Sequence, residues 1–220
     1  ERIRRVICSV ALIALALVTP SSPAATTTQL PRSVRPTHYD VAIVPNAASL
    51  TFSGKVAVAI DVLQPTTSIT LNALELNFTS VRLSAGPGSE SFTAARVQIN
   101  EAEQTAKFSF GQLLEKGSYQ LNLDYTGRIG TQPVGLFAID YDGVDGQKRA
   151  LYTQFENSDA RRVIPCWDEP EFRTSFALAA TVPSGQMAVS NMPVAQTTEL
   201  GDARSLVRFQ PTPRMSTYLL

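Results

Sequence analysis

A chain of 220 residues with 44% hydrophobic and 17% charged residues is long enough for one large or two small domains, with ample apolar content for a core. Its 19 basic residues are matched by 19 acidic ones, which excludes a general nucleic-acid binder, since neutralising phosphate takes an excess of Lys and Arg on one face. With His38 as its one histidine, neither a two-histidine zinc motif nor a Ser or Cys nucleophile with a His base can be completed, so no catalytic residue and no metal ligand set is assigned to the chain.

The N-terminus reads as a secretory signal over residues 1–24. Arg2, Arg4 and Arg5 precede the apolar run Val6–Val18, Thr19-Pro20 breaks it, and the small residues Ser21-Ser22-Pro23-Ala24-Ala25 follow. The run is well short of the roughly 20 residues that a membrane-crossing helix needs. Cleavage after Ala24 is therefore expected, leaving no stable membrane span and an exported protein, periplasmic or secreted. Removing this segment takes three Arg and one Glu, so 16 basic and 18 acidic residues remain. Cys8 leaves with the signal. Cys166 then has no intrachain partner, and is either buried and reduced or paired with something beyond Leu220. A start at Glu1 in place of an initiator Met, and an apolar strand-like run at Met215–Leu220, predict a fragment of a longer protein.

Residues 25–33 form a Thr-rich linker, and residues 34–220 a single β domain. Short β-branched or alternating runs separated by turn residues predict an all-β, saddle-shaped or sandwich-like fold, mostly antiparallel, with at most one short helical turn. Strands are expected at Tyr39–Val44, Lys55–Leu63, Ser68–Asn72, Leu74–Ser84, Arg96–Asn100, Thr105–Phe110 and Tyr119–Tyr125, with turns at Gly86-Pro87-Gly88 and Lys116-Gly117. In Tyr119–Tyr125 apolar and polar residues alternate strictly, so one face is buried and the other wet. Lys55–Leu63 carries Val56, Val58, Ile60 and Val62 on one side and Ala57 and Ala59 on the other, which predicts a central strand covered on both faces. Residues 127–149 are rich in Gly and Asp and read as a long loop. Further strands are expected at Ala150–Phe155, Phe172–Val182, Ala188–Asn191, Ser205–Gln210 and the terminal run, with a helical turn at Ser158–Arg162.

Few residues outside one segment point to chemistry. His38 stands alone at a strand start and reads as structural or surface. Asp140, Asp142 and Asp145 are the only carboxylate cluster that could approach a cation, but they lack the twelve-residue calcium loop with its closing Glu, and read as solvated turn residues. Asn77-Phe78-Thr79 is a formal glycosylation sequon. The segment Gln154–Pro170 differs, packing charges, an aromatic, a thiol and two prolines together. Arg161 and Arg162 can pair with Asp159, Asp168 or Glu169 and pin a non-regular turn. Glu156, on the same strand face as Tyr152 and Gln154, either braces that turn or faces a cleft.

This segment, QFENSDARRVIPCWDEP, resembles the Gln-Phe-Glu-Pro-Thr-Asp-Ala-Arg-Arg-x-x-Pro-Cys-Phe-Asp-Glu-Pro signature of M1-family (gluzincin) zinc aminopeptidases. Pro36–Asp40, Gly135-Leu136-Phe137, Ser190–Pro193 and Met215–Leu220 extend the likeness over residues 30–220, in the family's order. The departures are Asn157 for Pro, Ser158 for Thr, Trp167 for Phe and Phe137 for Tyr. The resemblance implies an N-terminal saddle-shaped β domain that caps a thermolysin-like catalytic domain absent from this chain. Zinc, its ligands and the general base belong to that downstream domain, the domain's own partner, so this chain alone is expected to be inactive and metal-free. Gln154 and Glu156 match the Gln-x-Glu pair that enters the family's active site and binds the first residue of a peptide substrate. The alternative is a secreted all-β peptide- or carbohydrate-binding module without catalysis, distinguished by the absence of His-Glu-x-x-His downstream.

Overall fold

The computed structural model describes residues 29–85, 91–94 and 96–220; the signal segment, Cys8 and the Gly86-Pro87-Gly88 turn lie outside them. The strands in chain order are β1 (Val34–Asn46), β2 (Thr51–Val62), β3 (Thr66–Asn72), β4 (Asn77–Ser84), β5 (Ser91–Thr93), β6 (Arg96–Asn100), β7 (Thr105–Leu114), β8 (Gly117–Arg128), β9 (Gly135–Gly143), β10 (Gly146–Gln154), β11 (Ser175–Pro183), β12 (Val194–Glu199) and β13 (Arg204–Phe209). Two 3-10 turns, Ala160–Arg162 and Thr217–Leu219, are the helical content of the described residues. The fold is all-β, as the run spacing predicts.

Eight strands make the main sheet in the order β12-β13-β11-β1-β2-β8-β4-β5. Every pair in it is antiparallel except β1 with β11. β2 is internal, as its two apolar faces require. Val56, Val58, Ile60 and Val62 are buried, and Ala57 and Ala59 are half-buried behind them. On β8 Leu121, Leu123 and Tyr125 are buried while the residues between them are not. A second sheet, β3-β7-β6, contributes Ile69, Leu71, Ala106 and Phe108 to the same apolar cluster, so the core lies between two layers. Phe78 of β4 meets Phe108 of β7 edge-on, 5.1 Å between ring centroids.

Two local features shape the main sheet. Pro36 has no N–H to give the ladder, and the β1–β2 register slips between Pro36 and His38, with Thr37 donating its hydroxyl to the Ala59 carbonyl (3.1 Å). Between β2 and β8, Gly54 faces Tyr125 and Gly127 faces Phe52. A Cβ on Gly54 would sit 2.4 Å from the Tyr125 ring, and one on Gly127 2.3 Å from the Phe52 ring. Each aromatic ring thus occupies the space its facing glycine leaves free.

Several boundaries differ from the sequence expectation. Residues 127–149 are not a long loop: Gly135–Gly143 and Gly146–Gln154 form the β9–β10 hairpin, in which Asp140 faces Arg149. Gly and Asp suggest a loop from sequence alone, but here the acid is neutralised across the ladder. Ala188–Asn191 is not a strand; the sheet edge is β12, whose six residues are all exposed and therefore carry no apolar alternation. The terminal run pairs only through Met215 with Thr174 and then coils into the second 3-10 turn. Ala73–Leu76 is a connector rather than the start of β4, and the Leu74 amide donates to the Arg161 carbonyl (3.0 Å).

Among the described residues no helix is long and apolar enough to cross a membrane.

Candidate functional site

The site starts from the β9–β10 hairpin. Strand alternation gives this ribbon two faces. Leu136, Ala138 and Leu151 on one are packed against the core cluster, whereas Ile139, Tyr141 and Tyr152 on the other are exposed. Gln154, the last residue of β10, pairs with Gly135 and shares the exposed face with Tyr152. Gly135 has φ 64°, a left-handed conformation that favours glycine, and its missing Cβ would lie 3.2 Å from Cβ of Arg162. The hairpin base therefore rests directly on the first 3-10 turn.

Phe155 follows and is buried, fixing the chain between two exposed polar residues, Gln154 and Glu156. The Glu156–Asn157 peptide is cis. The chain then turns on the bond from the Asp159 amide to the Phe155 carbonyl (2.9 Å) and enters Ala160–Arg162. Asp159 does not cap that turn; its carboxylate accepts from Nε of Arg162 (2.9 Å), and Arg162 also pairs with Glu75 (3.0 Å).

Beyond the turn the charged groups are all engaged, while the buried Trp167 indole N–H has no hydrogen-bond partner among the described residues. Arg161 donates from Nε to Oδ2 of Asp168 (2.9 Å), from Nη1 to Oε1 of Gln104 (3.0 Å) and from Nη2 to the Asp168 carbonyl (3.2 Å). Asp168, whose side chain is 1% exposed, accepts on its other oxygen from the Thr217 hydroxyl (2.5 Å). Its amide donates to Oδ1 of Asn72 (3.1 Å). A buried ion pair is tolerated when its remaining lone pairs and protons are satisfied in this way. Cys166 bridges through its backbone to Asn72, and the Trp167 amide donates to the Tyr39 hydroxyl (3.1 Å). Burial pushes the Cys166 thiol well above its ordinary pKa, helped by the Asp168 charge and opposed by Arg161. It is free and fully buried, the first of its two alternatives. Burial likewise raises Tyr39 and Tyr125.

Of the pairings open to the arginines, Asp159 and Asp168 are taken up and Glu169 is not. Glu169 instead accepts from the Leu30 amide (2.6 Å) and from Arg32 (2.8 Å), tying the start of the domain to the same segment. Sequence reasoning missed Asn72, Glu75, Gln104 and Thr217, because nothing local to these residues reports partners 49 to 96 positions away. Tyr39, inside Pro36–Asp40, and Thr217, inside Met215–Leu220, do lie in stretches that the resemblance singles out, but without a partner assigned to either.

Glu156 contrasts with all of these: it is exposed and has neither hydrogen bond nor ion pair among the described residues. Gln154, two residues before it, is exposed as well.

The donor set does not fit zinc. No three His, Cys, Asp or Glu side chains converge among the described residues. His38 has Nδ1 at 2.7 Å from the Ser175 hydroxyl and Nε2 at 3.4 Å from Asp40. Asp140 is held by Arg149 (2.6 and 2.7 Å), which also lowers its pKa, chiefly through those hydrogen bonds.

The chain is thus an all-β two-layer domain that carries, at the foot of a hairpin, a carboxylate without a partner among the described residues. The Peptidase M1 N-terminal domain family matches residues 35–219, and the chain belongs to it. It is 40% identical to aminopeptidase N of Acetobacter pasteurianus, over 87% of this chain and 53% of that protein. It is 38% identical to aminopeptidase M1-B of Oryza sativa subsp. japonica and 34% identical to aminopeptidase M1 of Arabidopsis thaliana, again over 87% of this chain. The chain spans only 21% and 22% of the length of those two plant proteins.

Proposed function

We propose that this is the N-terminal domain of an exported zinc aminopeptidase that removes N-terminal residues from peptides, and that Gln154 and Glu156 recognise the first residue of the substrate. Zinc and its ligands would belong to a catalytic domain further along the polypeptide. The observation that carries the reading is Glu156: an acid held between the buried Phe155 and the anchored turn, yet without a partner of its own among the described residues.

An exopeptidase must distinguish a charged α-ammonium from a neutral internal amide, and a carboxylate does so. A charge-assisted hydrogen bond is roughly twice as strong as a neutral one. An N-blocked peptide leaves the carboxylate desolvated and unpaired, so selectivity arises partly by rejection. Gln154, at the end of β10 and exposed like Glu156, offers an amide to the first side chain.

In the whole protein, Glu156→Ala should lower kcat/KM on free-amine peptides by roughly tenfold to over a hundredfold, the equivalent of about 1.5–3 kcal/mol, with zinc content unchanged. Glu156→Gln should narrow the discrimination against N-acetylated peptides. Unaltered kinetics on both substrate types, with a lowered melting temperature, would reduce Glu156 to a brace for the turn before Arg161.

A further inference from the structure

We infer that Tyr152 is a specificity-determining residue, forming one wall of the space for the substrate's first side chain and favouring large apolar residues there; this rests on the reading of Gln154 and Glu156 above. Tyr152 is 51% exposed, high for an aromatic side chain on a strand whose opposite face is packed against the core. It faces Phe137 across the hairpin, with 6.0 Å between ring centroids and 32° between planes. Phe137 is itself only 7% exposed. The Tyr152 ring is thus backed on one side by a buried ring and open on the other.

Distance singles it out from the other exposed residues of that face. At a strand rise of about 3.4 Å per residue, Tyr152 is about 7 Å along the ribbon from Gln154, within reach of one amino-acid side chain. Ile139 pairs with Ala150, and Tyr141 with Lys148, so they lie about 14 and 20 Å away at the same rise. If the α-ammonium sits on Glu156, a first side chain directed back along β10 meets Gln154 and then the Tyr152 ring. A carboxamide beside an aromatic plane offers little to a methyl group and a broad contact to a leucyl or phenylalanyl side chain, which covers the exposed ring.

The test uses the whole protein and aminoacyl amides of Phe, Leu and Ala. Tyr152→Ala should lower the ratio of kcat/KM for Phe over Ala substrates about two- to tenfold, the range expected for losing one aromatic contact. Tyr152→Phe, which keeps the ring, should hold the ratio within about twofold of the parent. A ratio unchanged in Tyr152→Ala, while Glu156→Ala still loses activity, overturns the role of Tyr152 and leaves the amine site standing. An equal loss on all three substrates with a lowered melting temperature also overturns it, assigning the ring to packing against the rest of the protein. Full activity in Glu156→Ala removes the amine site, and with it the ground for this one.

Discussion

The fifteen residues from Gln154 to Asp168 contain two regions built on opposite plans. From Arg161 to Asp168 the charges are buried or half-buried and all paired: one carboxylate meets a guanidinium and a hydroxyl, and one guanidinium reaches a carboxylate, a carboxamide and a carbonyl. From Gln154 to Glu156 the polar groups are exposed and the acid has no partner among the described residues. A saturated network fixes geometry and has nothing left to offer a ligand, whereas an open carboxylate contributes little to the fold. The second region relies on the first for its placement, because Gly135, opposite Gln154, rests on Arg162.

The sharpest way to break this contrast is on stability. Asp168→Ala leaves Arg161, 13% exposed, without its anion, and should destabilise the chain by about 3–5 kcal/mol in urea unfolding. Glu156→Ala should stay within about 0.5 kcal/mol of the parent in the same measurement. Comparable losses from both would erase the distinction between the two regions.

A smaller effect is expected from Gly54→Ala, remote from both. Its methyl would collide with the Tyr125 ring, which is buried beneath neighbours and cannot swing clear. Overpacking of this kind costs about 1–3 kcal/mol, read as a lowered melting temperature. No change would mean that the sheet spreads freely at β2–β8.

Smallest is the alkaline behaviour of Cys166. Its folded pKa lies above its ordinary value of 9.0, so the folded chain holds a proton that the unfolded chain releases. Stability is then complete below about pH 9 and falls as the pH rises beyond it, by up to about 1.4 kcal/mol per pH unit. Above pH 10 Tyr39 and Tyr125, raised in the same sense, steepen the fall. Cys166→Ala should remove the first part of this loss. An identical pH profile in that variant, or rapid thiol labelling of the native chain without denaturant, would contradict the buried thiol.

How much of this is legible in the sequence depends on whether the cause is local. The alternation in Tyr119–Tyr125 and the double apolar face of Lys55–Leu63 are local, and β8 and β2 form where they predict. β9 is not legible, because Asp140 and Gly143 resemble turn residues until Arg149 is known to stand opposite Asp140. β12 is not legible either, since an edge strand with six exposed residues has no apolar pattern to read. At the site, Arg161 and Asp168 are near enough in sequence to be paired by inspection, but Gln104, Asn72 and Thr217 are not. The exposure of Gln154 and Glu156 is a result of tertiary structure, and only the resemblance singles out the pair.

The parallel pairing of β1 with β11 in the main sheet bears on how the chain reaches this state. The bond between His38 and Ser175 joins residues 137 apart, and the segment carrying Glu156 lies within that span. A chain still shorter than residue 175 can form β1 and β2 but leaves the other edge of β1 with its N–H and C=O groups unpaired, an open template for strand addition. Such long-range pairing slows folding, since the loop must close before the contact rewards it. During synthesis, aggregation risk should therefore be concentrated on the edge that carries Tyr39 and Val41, and should end when residues 175–183 arrive to cover it.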